Sequence, residues 1–255
     1  MLAVLARPLI ISFIFTASVV TGGCALGRVP AWPDRQAWRG AVHDAARDPA
    51  TWAPAAGAVI VAAGGWDHDI SRWAVRHTPV FGSVDDARRW SNRLRGVTHA
   101  GMLLGALLPA DTETSRLERL MVDEAGALAA EMSSYGLKRA AGRVRPNGAD
   151  DQSFPSGHST RSAAHAAIAV RDLAHAGISP GARIALDSSF YLLSGATAWA
   201  RVEAGVHYPT DVLIGMALGN FVGRVVHDAW LGDHPAFVAI VPERHGASIF
   251  IDIAW

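Results

Sequence analysis

The sequence predicts an all-α protein, a helical bundle ended by a short C-terminal β-hairpin. Three observations carry that expectation. The 255 residues are 50% hydrophobic and 18% charged, which is ample for a buried core and unlike a disordered chain. From Arg35 to Trp230 apolar and small residues recur at helical spacing, with Ala-rich runs that favour helix. A period-two apolar pattern occurs only near the end of the chain. No Pro/Ser-rich linker or charge run divides the sequence, so residues 24–255 read as a single domain.

Taken in order, Met1 to Arg7 is a weakly basic start and Leu9 to Val20 an apolar run of signal-peptide length, too short to span a bilayer comfortably. Thr21-Gly22-Gly23-Cys24 then resembles the lipobox at which bacterial lipoproteins are cleaved and lipidated, although that family prefers Leu where Thr21 stands. The resemblance implies a signal over residues 1–23, export to the bacterial periplasm, and a lipid on Cys24 that holds the domain at a membrane surface. Cys24 is the one cysteine, which excludes an internal disulfide framework and a Cys-based zinc site.

Arg35 to Arg47 reads as a helix stopped by Asp48-Pro49. Val84 to Leu94, Thr98 to Leu108, Glu113 to Ala141, Ser159 to Ala176, Ala182 to Ala200 and Thr210 to Trp230 follow as helices, with a break at Gly177 to Pro180. The apolar stretches Ala53 to Gly65, Gly101 to Pro109, Phe190 to Ala200 and Val212 to Val226 fall below the roughly 18 uninterrupted apolar residues of a membrane span and read as buried helices. Phe237 to Val241 and Ser248 to Trp255 flank Pro242-Glu243-Arg244-His245-Gly246 like a hairpin, with Ile249, Ile251, Ile253 and Trp255 on one face.

Lys and Arg number 23 against 23 Asp and Glu, and the pI is near 7.2, so nucleic acid is not an expected partner and any anion site must be a local cluster of bases. Three clusters fit that description. Lys138 and Arg145 stand seven residues apart, which would project both cations from one face of a helix that Pro146 ends. Ser153-Phe154-Pro155-Ser156-Gly157-His158 precedes an Ala-rich helix. With Pro155 at its first position, Ser156 would offer a hydroxyl, Gly157 a backbone open to close approach, and the helix N-terminus a seat for a phosphate beside His158. Arg201 precedes His207-Tyr208-Pro209-Thr210-Asp211, where His207 and Asp211, four apart, would share a helical face, the carboxylate fixing the tautomer of a nucleophilic imidazole. Such a pair could hold a metal, but Lys138, Arg145 and Arg201 repel a cation and attract an oxyanion.

The order and combination of these clusters, Lys138 to Arg145-Pro146, then Pro155-Ser156-Gly157-His158, then Arg201 to His207 and Asp211, resembles the three-part signature of the type 2 phosphatidic acid phosphatase superfamily. That superfamily includes bacterial acid phosphatases, lipid phosphate phosphatases and vanadium-dependent haloperoxidases. The resemblance covers Leu137 to Gly219 and departs at Ala200, where the family usually has Ser. It implies a bundle of the acid phosphatase type, with His207 taking the phosphoryl group, Asp211 orienting it, and His158 protonating the leaving alkoxide and then activating water. Lys138, Arg145, Arg201, Ser156 and the Gly157 amide would hold the phosphoryl oxygens, with no metal or other cofactor. The expected activity is phosphate monoester hydrolysis on a lipid phosphate or a small periplasmic phosphoester. A surface anchor at Cys24 favours the lipid, and the lack of membrane spans favours the soluble branch. The alternatives are an envelope lipoprotein that keeps the fold without catalysis and a vanadate-dependent haloperoxidase; the completeness of the clusters argues against the first. Asp67-His68-Asp69, His99, His165, His227 and the nine tryptophans read as structural.

Overall fold

Caps written into the sequence set the helix ends. The computed structural model describes residues 32–109 and 114–232, and the backbone of 237–243 and 246–252; the signal and Cys24 expectations lie outside the described residues. Helix α1 (Arg35–Arg47) starts at Asp34, whose carboxylate accepts the N–H groups of Gln36 and Ala37 at 2.8 Å. Asp48 closes α1 and opens α2 (Pro49–Ala63) by accepting from the Ala50 N–H, with Pro49 in the first turn. After α3 (Asp67–His77), Ser83 caps α4 (Val84–Gly105) and Ser115 caps α5 (Arg116–Ala141). Ser156 caps α6 (Gly157–Ala174), Ser179 caps α7 (Pro180–Glu203), and α8 (Pro209–Leu231) follows Tyr208. The break expected between Leu94 and Thr98 does not occur, because Arg95-Gly96-Val97 continue α4 as one helix.

The fold that positions the candidate site is all-helical. Further along, β1 (Phe237–Glu243) runs antiparallel to β2 (Gly246–Asp252), with Phe237 opposite Asp252 and Glu243 opposite Gly246. Residues 244, 245 and 253–255, and every side chain of the expected apolar face, lie outside the described residues.

Helix α6 is the centre of the bundle, with 12 of its 18 residues buried and α4, α5, α7 and α8 packed around it. Eight of those twelve are Ala, Ser or Thr, which permits close packing, and α8 answers with glycine at every fourth residue. A Cβ at Gly219 would lie 2.0 Å from the Thr160 carbonyl oxygen, one at Gly215 2.7 Å from that of Ser156, and one at Gly223 3.1 Å from Ala164 Cα. Glycine lets the α8 backbone sit directly on α6. That contact brings the start of α8 to the start of α6, where the Ser156 N–H donates to the Asp211 carbonyl at 2.9 Å.

Helix α2 corrects the expectation that the apolar stretches are all buried. Only Ala58 of its 15 residues is buried, and Val59 and Ile60 are 67% and 60% exposed. Apolar residues surround this helix on all sides, while its neighbours α1 and α8 cover one side of it. Trp52, Trp66 and Trp73 are exposed as well, whereas Trp38 and Trp230 meet edge to face 5.0 Å apart against the buried Ala41 and Ala45. Among the described residues no helix is long and apolar enough to cross a membrane.

Candidate active site

Lys138 lies in the last turn of α5, but Arg145 is not on that helix. Gly142 takes the left-handed conformation at φ 55° and caps α5 after Ala141, so Arg145 follows in the loop. The two cations still converge. Lys138 Nζ donates to the Gln152 carbonyl at 2.7 Å, and its Cε lies 3.8 Å from where a Cβ on Gly157 would be. Arg145 donates from Nε to Asp150 at 2.5 Å and from Nη1 to the Val206 carbonyl at 3.4 Å, one residue from His207.

Pro155, joined to Phe154 by a cis peptide, precedes the helix cap and does not fill the first helical position, which belongs to Gly157. Ser156 is fully buried, and its hydroxyl oxygen accepts from the Ser159 hydroxyl at 3.0 Å, leaving its own O–H to donate. His158 follows in the first turn, with Nε2 2.7 Å from Asn92 Oδ1 of α4. An amide oxygen only accepts, so Nε2 carries a proton. Burial, then the charges of Arg201 and Arg95, push His158 down to about 2, so this ring is neutral until an anion arrives.

His207 also differs from the expectation, since it sits before α8 rather than on it. Its Nδ1 donates to the Ser153 carbonyl at 2.7 Å, whereas Asp211 Oδ2 is 3.8 Å from Nδ1, beyond hydrogen-bonding range. The tautomer is therefore fixed by a backbone carbonyl, and Nε2 keeps its lone pair. Asp211 acts one step away. Its carboxylate accepts from the Ser153 hydroxyl at 2.5 Å, the Tyr208 N–H at 2.8 Å and Arg143 Nη1 at 2.7 Å, and so holds the residue whose carbonyl holds the ring. Burial raises Asp211, but His207, these hydrogen bonds and the charge of Arg143 outweigh it and keep the group below the ordinary carboxylate range. Burial lowers His207 to about 4 against the opposing pull of Asp211, with Arg201 and Lys138 adding to the fall.

Arg201 is 8% exposed and donates from Nη1 to Ser91 at 3.1 Å, while its buried Nε has no partner among the described residues. Burial, then Arg145, Arg88 and Arg95, lower it to about 10, and burial with Arg145 lowers Lys138 to about 8. Cations that depress one another in this way gain from an anion placed among them.

Sequence reasoning gave no site role to two groups of residues. Arg143 pairs with Asp67 at 2.8 Å as well as with Asp211, donates to the Thr210 hydroxyl and stacks over Tyr208 at 4.2 Å. Asp67 is thus structural, as expected, and also accepts the Thr210 N–H at 2.9 Å. The second group is the α4 face bearing Arg88, Ser91, Asn92 and Arg95. Its signal was a polar stripe at helical spacing across an otherwise amphipathic helix.

The PAP2 superfamily model matches residues 122–232. Decaprenylphosphoryl-5-phosphoribose phosphatase of Mycobacterium tuberculosis, in strains CDC 1551 and H37Rv, is 32% identical over 146 residues, which are 52% of this chain and 76% of the relative. The crystal structure of a transmembrane PAP2 type phosphatidylglycerolphosphate phosphatase from Bacillus subtilis superposes with a TM-score of 0.50 at 24% identity, covering 70% of this chain and 94% of that one, and shares its fold. The chain belongs to the PAP2 superfamily and is a phosphatase of the phosphoric monoester hydrolase class.

Proposed function

We propose that this phosphatase hydrolyses a phosphorylated lipid without a metal at its site, through a phosphohistidine on His207. The observation that carries the proposal is the cation ring around a neutral imidazole: buried Arg201 with an unpartnered Nε, Lys138 beside Gly157, and Arg145 beside Val206. In this reading Lys138, Arg145, Arg201, the Ser156 hydroxyl and the Gly157 N–H take the three phosphoryl oxygens, the task divalent ions perform in other phosphoryl-transfer enzymes. His207 Nε2 attacks phosphorus in line with the leaving alkoxide. The bound dianion raises the affinity of His158 for a proton, which it gives to the alkoxide and then recovers from the attacking water.

The lipid substrate rests on two features. The Mycobacterium tuberculosis relative is named for a decaprenyl-linked phosphosugar. Trp66, Ile70, Trp73 and Trp199, with Asp69, line an open cavity of about 560 Å³ between α3 and α7, and Asp67 of α3 binds Arg143. A signal over residues 1–23, export to the periplasm and a lipid on Cys24 would hold the enzyme at a membrane where such substrates lie.

A panel of polyprenyl-linked, diacylglycerol-linked and soluble monoesters, assayed in chelator with and without vanadate, tests the reading. Preferred turnover of lipid phosphates, retained in EDTA and blocked by vanadate as an imitation of the five-coordinate transition state, is expected. Activity lost in EDTA and restored by a divalent ion would overturn metal independence, and preference for soluble esters would overturn the lipid assignment.

A further inference from the structure

A second cluster of ionisable groups lies inside the bundle, far from the cation ring. Asp123 of α5 and Asp172 of α6 are both fully buried, and His227 of α8 is 1% exposed. Their ligating atoms all lie within 4.8 Å of one another. His227 Nε2 is 3.4 Å from Asp172 Oδ1 and 3.9 Å from Asp123 Oδ1. Asp123 lies 15 residues before Lys138 and His227 16 residues after Asp211, so at 1.5 Å per residue the cluster is about 22–24 Å along the helices from the candidate active site.

Both carboxylate oxygens of Asp123, and Oδ2 of Asp172, are buried with no hydrogen-bond partner among the described residues. A buried carboxylate without a donor is costly and calls for a cation or a proton in the space it faces. The surrounding geometry favours a cation. His227 points Nε2 at the two carboxylates, while its Nδ1 is 3.1 Å from Asp228 Oδ1, the carboxylate–histidine arrangement that orients a ligating imidazole. Asp228 is held in turn by Arg171 Nε at 2.7 Å and Arg224 Nε at 3.2 Å. Arg119 Nη1 donates to Asp172 Oδ1 at 3.2 Å, which leaves Oδ2 for another partner. Arg119 pairs with Asp172, and Arg171 and Arg224 pair with Asp228, which leaves Asp123 as the carboxylate of the cluster with no guanidinium bonded to it among the described residues.

We propose that Asp123, Asp172 and His227 bind one divalent transition-metal ion of the zinc or manganese class, which ties α5, α6 and α8 together at the end of the bundle away from the phosphate site. One imidazole nitrogen with two carboxylates is a donor set for such ions, and ligand atoms about 2.1 Å from a tetrahedral centre lie about 3.4 Å apart, close to the separations from His227 Nε2. Asp123 can bind through one oxygen or both. The ion takes no part in turnover and acts on stability.

The test uses the full chain, stripped with chelator, loaded with Zn2+ or Mn2+ and desalted. One ion per chain by mass spectrometric metal analysis is expected, with a rise in Tm of roughly 5–10 °C at a hundredfold excess over Kd. Asp123→Asn, which keeps the shape and removes the charge, should retain no ion and show no Tm shift, and His227→Gln should behave alike. Should either variant fail to fold, Co2+ titration of the wild-type chain reads the site by visible absorption that Zn2+ then abolishes. No retained ion and an unmoved Tm with both metals would overturn the proposal, leaving the carboxylates to share a proton. Equal retention by Asp123→Asn would also overturn it.

Discussion

The two ends of the α5–α6–α8 core are charged in opposite senses. At one end Lys138, the first turn of α6 and the start of α8 surround a space that Arg145 and Arg201 make basic, and Arg201 Nε has no partner among the described residues. At the other, Asp123 and Asp172 face His227, and both oxygens of Asp123 and Oδ2 of Asp172 have no hydrogen-bond partner among the described residues. Each end leaves a buried polar atom unsatisfied among the described residues, at a cost that a ligand of opposite charge would remove. The glycine seam Gly215, Gly219 and Gly223 runs between the ends and holds α8 against α6, so both clusters depend on one helix contact. Charge, more than hydrophobic patterning, distinguishes a catalytic end from a structural one.

Removing the Arg201 guanidinium should break the comparison most sharply. Arg201→Met is expected to lower kcat/KM by about 10²–10³-fold, as loss of a transition-state donor does, with little change in Tm because burial and the neighbouring Arg145 already disfavour this cation in the folded protein. Steady-state kinetics beside thermal melts checks this, and a collapse of Tm with unchanged kcat/KM would reassign Arg201 to the fold.

The pH profile of kcat/KM reads the same end in the free enzyme. His207 needs its lone pair and Lys138 its charge. Activity should therefore fall as pH drops through about 4, where His207 gains a proton, and fall again as pH rises through about 8, where Lys138 loses one. In kcat both limbs should move upward, because the bound dianion favours the protonated forms. Profiles flat from pH 3 to 10 would contradict both shifts.

A smaller effect is expected at Asn92, whose amide oxygen holds His158. Asn92→Ala should reduce kcat about tenfold for alkyl phosphates and much less for p-nitrophenyl phosphate, whose leaving group scarcely needs a proton. Equal losses on both substrates would mean that Asn92 serves the fold and not the acid. Smallest of all, Asp123→Asn should leave kcat and KM within about twofold at the distal end.

Much of this was legible in the sequence, and the failures have physical causes. The helix of Arg35–Arg47 was read at its observed bounds because Asp48 and Pro49 end it. His207, His158, Lys138, Arg145 and Arg201 were singled out because motif spacing is local, and the fold brings them to one end of the α5–α6–α8 core. The reading erred where a glycine cap or a pre-helical residue changed the geometry: Gly142 takes Arg145 off α5, and His207 precedes α8, so Ser153 meets the ring that Asp211 was expected to meet. Asn92, Ser91 and the Asp123–Asp172–His227 cluster were missed because each residue looks ordinary alone and meets its partners only across helices. Helix α2 was read as buried because hydropathy reports composition, and burial depends on how many neighbours a helix has.

The central claim, that His207 carries the phosphoryl group, is tested most directly by acid-quench trapping with 32P-labelled substrate followed by peptide mapping. The account predicts acid-labile label on the peptide containing His207, accumulating further in His158→Ala with a good leaving group and absent from His207→Ala. Label on His158, or label that persists in His207→Ala, would contradict it.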